Sequence, residues 1–218
     1  MGRDAFQNDE YYHIFNRGNN KRDIFLDRND YIRFLTGMRE FNRLEPVESL
    51  YTLNKLRSKA IESLYSDSIA TNSLIEFVCY CLIPNHFHFL VKQKQEKGIS
   101  KFMHKLSLGY TQYFNIKHNN SGSLFQGRFK SIHIKSEAQL QKVSCYVNGN
   151  AEIHKLAKAE NYQWSSYHDY SGKRNGTLCN KEIILKYFKN IDEYQELTKY
   201  VIKESIEQKE ETGEYSLE

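Results

Sequence analysis

Two strand-forming segments joined by a tight turn restrict the possible folds of this sequence more than any other feature. Residues 74–83 read LIEFVCYCLI and residues 86–93 read HFHFLVKQ, and both runs are rich in the apolar and aromatic residues typical of strands. Pro84 and Asn85, which separate them, are common turn residues. The sequence therefore predicts an antiparallel pair of strands that belongs to a larger sheet.

The second of these strands contains two histidines. Because alternate residues of a strand face the same side of a sheet, His86 and His88 are predicted to lie side by side, while Phe87 and Phe89 face a core on the other side. Two neutral imidazoles on one face can bind one metal ion. A pair of half-exposed surface histidines is the alternative, and the rest of the sequence has to decide between them.

The segments around the hairpin predict an α+β fold. Strands are predicted at 11–15 and 129–135, and helices are predicted to follow caps at Asp27 and Ser136 and to follow Gly98. The resulting order is strand, helix, strand, strand, helix, strand, helix. It predicts an antiparallel sheet with helices packed mainly on one face.

The remaining segments predict additions to this core. Residues 1–170 are predicted to form the main domain, with a helical insertion at about 45–73. Residues 171–218 are predicted to form a helical C-terminal extension that ends in an acidic tail.

Composition excludes several classes of protein. No apolar run among the 218 residues approaches the ~20 needed to span a bilayer, and we expect the polar N-terminus not to be a signal peptide. The four cysteines contain no C-x-x-C pair and are predicted to be reduced core residues. We therefore expect a cytoplasmic protein without a membrane partner.

Charge is unevenly distributed along the chain. The net charge is only +4, but residues 97–136 contain no Asp or Glu. A basic stretch with interleaved aromatic and amide residues is typical of a surface that binds a polyanion, and an ordinary solvated helix face is the alternative. The basic residues of this stretch are Lys97, Lys101, Lys105, Lys117, Arg128, Lys130 and Lys135.

A tyrosine on a helix beside the histidines would add a reacting group. A phenol is a poor nucleophile at its ordinary pKa of about 10, but a divalent cation favours its attack by polarising a phosphate. Tyr146 and Asn150 are four residues apart and would share a helix face. Spacing alone does not choose between Tyr146, Tyr110 and Tyr113.

Five segments, taken in order, resemble the REP-associated tyrosine transposases. These proteins belong to the HUH single-strand DNA nucleases, in which U is a hydrophobic residue, here Phe87. The resemblance covers about residues 11–170, and it implies a ferredoxin-like HUH nuclease fold. The five segments are YYHIFNRGNNKRDIF, CYCLIPNHFHFLV, SGSLFQGRFKS, CYVNGN and YQWSSYHDY.

The resemblance also implies roles for individual residues. The family's metal-binding histidines correspond to His86 and His88, its nucleophile to Tyr146, and its metal-side polar residue to Asn150. The chain departs from the family pattern in two ways: Gly149 lies inside the CYVNGN segment, and Ala151 replaces the usual proline.

DNA contacts are implied at two places and predicted at a third. The resemblance implies contacts from Arg17 and Asn19 in the first turn and from Arg128 and Lys130 in the GRFK segment. Lysines of the acid-free stretch, Lys101 and Lys105 among them, are predicted to neutralise further phosphates.

The activity that the resemblance implies is metal-dependent nicking and rejoining of single-stranded or hairpin DNA through a 5′-phosphotyrosine. Mg²⁺ or Mn²⁺ would be the cofactor, and the protein would act as a monomer or a homodimer. One alternative is an inactive relative that binds hairpin DNA without cutting it. The other is a zinc-dependent hydrolase, for which His104, His133 and Glu76 are conceivable further ligands.

Overall fold

The computed structural model describes residues 5–44 and 72–213. The insertion predicted at about 45–73 lies almost entirely outside the described residues, as does the end of the predicted acidic tail, residues 214–218.

A four-stranded antiparallel sheet forms the centre of the molecule. Its strand order is β2-β3-β1-β4. The predicted hairpin is present, with β2 and β3 paired from Ile75–Gln93 to Ile83–His86. The strands are β1 (Tyr11–Arg17), β2 (Ile75–Ile83), β3 (His86–Gln93) and β4 (Lys130–Ile134).

Helices follow the strands in the order that the sequence predicted. The Asp27 side chain caps the first helix by accepting hydrogen bonds from the backbone N–H groups of Asn29 and Asp30, and Ser136 caps the third by accepting from the Gln139 N–H. The described helices are α1 (Arg28–Glu40), α2 (Gly98–Lys117), α3 (Glu137–Ile153), α4 (Tyr167–Tyr170), α5 (Glu182–Leu185) and α6 (Ile191–Thr212).

The sheet has a hydrophobic core on each face. On one face, α1 and α2 pack over a cluster that includes Phe34, Phe87 and Phe102. On the other, α3 covers a cluster that includes Cys81 and Val147. The predicted α+β class and antiparallel sheet are confirmed; the helices, which were expected mainly on one face, cover both. The physical reason is the apolar character of β2, which is buried on both sides and therefore needs two layers.

The C-terminal helix α6 packs along α3. A Cβ atom on Gly149 would lie 2.5 Å from Cγ1 of Ile202, so the glycine that departs from the family motif permits close approach of the two helices. The Asn148 side chain also donates a hydrogen bond of 2.7 Å to the Tyr194 hydroxyl. α6 thus shares the core of α3, and the domain boundary at residue 170 stays a prediction.

Lys117 joins α2 to the start of α1. Its ammonium group lies 2.7 Å from carboxylate oxygens of both Asp27 and Asp30. Burial alone would raise the pKa of Asp30, but hydrogen bonds from Lys117, the Leu26 N–H and His118 outweigh burial and lower that pKa below its ordinary value. One cation of the acid-free stretch is therefore used inside the fold.

All four cysteines are buried free thiols. Within 5–44 and 72–213, no helix combines the length and apolar character required to cross a membrane. The predicted cytoplasmic location stays a prediction.

Candidate active site

The predicted histidine pair lies on the sheet face that α3 covers. His86 pairs with Arg17 and His88 pairs with Phe15 across the β1–β3 ladder. Both histidines are buried, with 3% and 0% of their surface exposed, respectively. They are therefore built into the fold, which removes the alternative of half-exposed surface histidines.

A third histidine adjoins the pair. His13 lies on β1 opposite Leu90, and is therefore diagonal to His88 on the same face. Its Nε2 atom shares a hydrogen bond of 2.9 Å with Nδ1 of His88. On the other side of the pair, Nδ1 of His86 is hydrogen-bonded to Oδ1 of Asn85 at 2.6 Å. Each histidine of the pair thus has its Nδ1 atom engaged by a neighbour.

One stripe of α3 faces these histidines. The ring centroid of Tyr146 lies 5.8 Å from that of His88, and the ring of His154, the residue that caps the end of α3, lies 4.5 Å from that of His86. Asn150 is one helical turn from each of these two residues, so it lies on the same stripe between them. The predicted nucleophile and the predicted metal-side residue therefore share the face that covers the histidine pair.

The Asn150 side chain is completely buried. Neither its amide nitrogen nor its amide oxygen has a hydrogen-bond partner in the described part of the chain. Leaving a buried polar group without a partner costs ~1–3 kcal/mol, so an uncompensated amide at this position requires an explanation.

The two rival tyrosines lie elsewhere. Tyr110 and Tyr113 are on α2, across the sheet from the histidines. The Tyr110 hydroxyl donates to the carbonyl oxygen of Ile24 at 2.5 Å, and that of Tyr113 donates to Asp30 at 3.1 Å. Burial is the main cause that raises the pKa of both phenols. Of the three candidates, Tyr146 is the one beside the histidine pair.

A cavity of about 620 Å³ opens over the histidine pair. Its lining includes three predicted DNA-binding residues, Arg17, Arg128 and Lys130, together with Lys21 and, from the end of α6, Lys209. Asp and Glu are missing from the described residues that line it. The cavity is therefore a positively charged pocket with imidazoles at its base, which suits a phosphate group.

Backbone pairing places Arg128 beside this pocket. The Gln126 N–H donates to the carbonyl oxygen of Arg17 at 2.9 Å, and the Asn16 side chain donates to the carbonyl oxygen of Gly127 at 3.2 Å. The GRFK segment is thereby held against the end of β1. Lys130 follows on β4, with its ammonium group 5.6 Å from the centroid of the Phe15 ring.

Three other predicted DNA-binding residues lie outside the pocket. Asn19 is in the 3₁₀ turn that follows β1, and Lys101 and Lys105 are on α2, across the sheet. None of them lines the pocket or the neighbouring cavity of about 890 Å³. Their contacts with DNA stay predictions.

The conceivable zinc ligands are dispersed. His104 is on α2, and the ring of His133 stacks on Tyr12, which belongs to the core under α1 and α2. Glu76 is near the far end of the hairpin from His86 and accepts a hydrogen bond from Asn180. Among the residues that the structure describes, no group of three or more His, Cys, Asp or Glu side chains is arranged to bind a metal.

Sequence reasoning missed His13, Asn85, His154 and Lys209. One signal was available: His154 follows Asn150 by the same four-residue spacing that relates Asn150 to Tyr146. The position of His13 depends on β1 being the neighbour of β3, and that of Lys209 on how α6 folds back, so neither could be inferred from local spacing.

Residues 52–150 match the family model for IS200-like transposases. The chain is related to the IS200-like transposases. The matched range is a little under half of the chain, and it contains the histidine pair, Tyr146 and Asn150. The resemblance inferred from the sequence is confirmed.

A solved structure supports the same relationship at the level of the fold. It is a REP-associated tyrosine transposase bound to a REP hairpin, with a TM-score of 0.52 and 12% sequence identity. The alignment covers 79% of this chain and 86% of the other. At this identity the likeness shows a shared fold. No curated protein matches the sequence.

Proposed function

We propose that this protein is a metal-dependent enzyme that nicks and rejoins single-stranded DNA, with Tyr146 as the nucleophile. The observation that carries the proposal is the position of the Tyr146 ring, 5.8 Å from that of His88, beside a basic pocket whose described lining contains no acidic residue. The match of residues 52–150 to the IS200-like transposases supports a reaction on DNA.

The two histidines that line the pocket, together with Asn150 on the α3 stripe that faces them, fit a divalent cation. His86 and His88 supply imidazole nitrogens, and Asn150 supplies an amide oxygen that is buried without a hydrogen-bond partner in the described residues. A bound cation would give that oxygen an electrostatic partner in place of the missing hydrogen bond. When bound, it would polarise the scissile phosphate and neutralise charge that develops there. Imidazole ligands favour Mn²⁺ over Mg²⁺, so Mn²⁺ is the ion to test first.

The protein's side chains would then divide the work. Arg17, Arg128 and Lys130 neutralise phosphates and hold the strand. The Tyr146 oxygen forms a bond to phosphorus as its phenolic proton passes to water, and the bond from phosphorus to the 3′ oxygen breaks. That oxygen takes up a proton and becomes the free 3′-hydroxyl, while the 5′-phosphate stays on Tyr146. Attack by a 3′-hydroxyl on the phosphotyrosine reverses these steps and rejoins DNA.

Tyr146 must move for this reaction to occur. The side chain is fully buried and is not among the residues that line the pocket. Its ring packs edge-on against His88 and His13. We infer that substrate binding is accompanied by a rotation of the Tyr146 side chain or a shift of α3 that brings the hydroxyl to the phosphate.

Hairpin DNA is the proposed substrate. The support is the related structure, a REP-associated tyrosine transposase bound to a REP hairpin. The basic pocket provides a place for a single strand beside such a hairpin. Action as a monomer or as a homodimer stays a prediction.

Trapping a covalent adduct tests the proposal. The protein is incubated with Mn²⁺ and a labelled single-stranded oligonucleotide that contains a hairpin, and the adduct is resolved on a denaturing gel and mapped by mass spectrometry. We expect an adduct on Tyr146 that is absent from Tyr146→Phe. The control Tyr200→Phe alters an exposed tyrosine of α6 and should retain it. An adduct that survives in Tyr146→Phe would refute the assigned nucleophile.

The complete burial of Tyr146 favours one second candidate, a protein that binds hairpin DNA without cutting it. The same experiment separates the two functions. Tight hairpin binding by wild type, with no adduct in Mn²⁺ or Mg²⁺ and no difference from Tyr146→Phe, would support the binding protein and contradict the nuclease.

A further inference from the structure

We propose that Asn85 and His13 are positioning residues that set the tautomers of His86 and His88, so that both rings present Nε2 to the cation. This inference rests on the proposed metal site, and it assigns two residues beyond the presumed ligands. A neutral imidazole has one N–H group and one lone pair, and only the nitrogen with the lone pair binds a metal. The partner of the other nitrogen therefore decides which nitrogen is available.

Asn85 determines which ring nitrogen of His86 carries the proton. The atom that meets Nδ1 of His86, at 2.6 Å, is the amide oxygen of Asn85, which accepts hydrogen bonds and cannot donate them. The amide nitrogen of Asn85 is directed to the carbonyl oxygen of Lys21 through a long hydrogen bond of 3.4 Å, which agrees with this orientation. Nδ1 of His86 must therefore carry the proton, and the lone pair is at Nε2.

His13 sets the tautomer of His88 through a hydrogen bond between two ring nitrogens. A nitrogen–nitrogen distance of 2.9 Å requires that one ring donates and the other accepts. If His13 donated, Nε2 of His88 would carry the proton and could not bind a cation. If His88 donates from Nδ1, its lone pair is at Nε2. A bound cation is compatible only with the second arrangement, so the His13 tautomer and metal binding are coupled.

The fold holds both supports rigidly. His13 and His88 are fully buried, and their rings stack with centroids 5.1 Å apart and planes 19° from parallel. Asn85 is in the turn between β2 and β3, where its carbonyl oxygen accepts a hydrogen bond of 2.8 Å from the Gly18 N–H. One support comes from a turn and the other from the neighbouring strand, so they can be removed separately.

Mn²⁺ affinity in the absence of DNA tests the proposal. It is measured by calorimetry and by the electron paramagnetic resonance signal of free Mn²⁺. Loss of a partner of a ligating histidine costs about 10–100-fold in metal affinity, so we expect His13→Phe and Asn85→Leu each to weaken Mn²⁺ binding by that factor. His13→Gln and Asn85→Asp keep an acceptor oxygen and should recover part of the loss.

His133→Phe is the matched control, because it removes a strand histidine from the opposite face of the sheet. It should bind Mn²⁺ as the wild type does. Unchanged affinity in both His13→Phe and Asn85→Leu would overturn the proposal, and so would equal losses in the acceptor-keeping and acceptor-lacking variants.

Nitrogen NMR of the wild-type protein gives a second readout that does not depend on the variants folding. At a pH of about 8, where imidazoles are neutral, we expect His86 and His88 to carry their protons on Nδ1 once Mg²⁺ is added. A proton on Nε2 of either ring would refute the assignment.

These readouts separate the inference from the proposed reaction. If Mn²⁺ binds and depends on His13 and Asn85, but no DNA adduct forms, the tautomer assignment stands and the nuclease fails. If wild type does not bind Mn²⁺, the inference fails whatever the protein does with DNA.

Discussion

Replacing Asn150 with leucine should stabilise the metal-free protein and remove its response to Mn²⁺. The buried amide has no hydrogen-bond partner in the described residues, and an unmade hydrogen bond of this kind costs ~1–3 kcal/mol. Leucine has a similar volume and needs no partner. For a chain of this size, 1 kcal/mol corresponds to ~2–4 °C in Tm, so Tm should rise by about 2–12 °C.

In the presence of Mn²⁺, wild type should be more stable than Asn150→Leu. A ligand that binds only the folded state adds about 4.1 kcal/mol to the free energy of unfolding when its concentration is about 1,000-fold above Kd, which exceeds the advantage of ~1–3 kcal/mol expected for Asn150→Leu. Wild type should gain that stability in Mn²⁺, whereas Asn150→Leu, which lacks the amide oxygen, should gain little. The measurement is thermal and urea denaturation of both proteins with EDTA and with Mn²⁺.

Asn148 offers a matched control in the same helix. It is also fully buried, but its amide nitrogen donates to the Tyr194 hydroxyl at 2.7 Å and its oxygen accepts from the Ser166 hydroxyl at 2.6 Å. Asn148→Leu should therefore destabilise the protein with or without metal. If Asn150→Leu behaves like Asn148→Leu in EDTA, or keeps the full Mn²⁺ response, Asn150 is not a metal-side residue.

Three further predictions concern charge and packing. Arg128→Gln should reduce the slope of log affinity for a single-stranded oligonucleotide against log salt by about 0.7, the loss of one phosphate contact; an unchanged slope in a salt titration would contradict its role. Gly149→Ala should lower the free energy of unfolding by ~1–3 kcal/mol, because the added methyl overlaps Ile202; the better helix propensity of alanine offsets ~1 kcal/mol of this loss. A double-mutant cycle with Ile202→Ala should show that the smaller side chain relieves the overlap. Additive free energies of unfolding in that cycle would refute the prediction. Asp30→Asn should lower Tm at neutral pH, because a carboxyl with a lowered pKa stabilises the fold while it is ionised. The difference in Tm from wild type should therefore shrink below a pH of about 4. A difference that stays constant in Tm scans down to pH 2 would rule this out.

Local patterns were sufficient for most of the elements. Asp27 and Ser136 cap the helices that the sequence placed after them. The Pro84–Asn85 turn joins the predicted hairpin. These features depend on residues within a few positions of one another, and propensity and capping act over that range.

The face of the sheet on which each side chain lies, and its neighbours there, depended on contacts distant in sequence. His13 meets His88 only because β1 inserts beside β3, 75 positions away in the chain. The choice between Tyr146 and Tyr110 likewise required knowledge of which helix covers which face. Local spacing has no information on either point, and the prediction of Tyr146 rested on the family resemblance.

Because the sheet has a separate core on each face, substitutions in the two cores should have different effects. Substitutions under α1 and α2 alter how firmly the sheet is held, without touching the imidazoles. Substitutions between α3 and α6 shift the helix that carries Tyr146 and Asn150. Changes on the first side would therefore affect stability, whereas changes on the second would also alter where Tyr146 and Asn150 lie relative to the histidine pair.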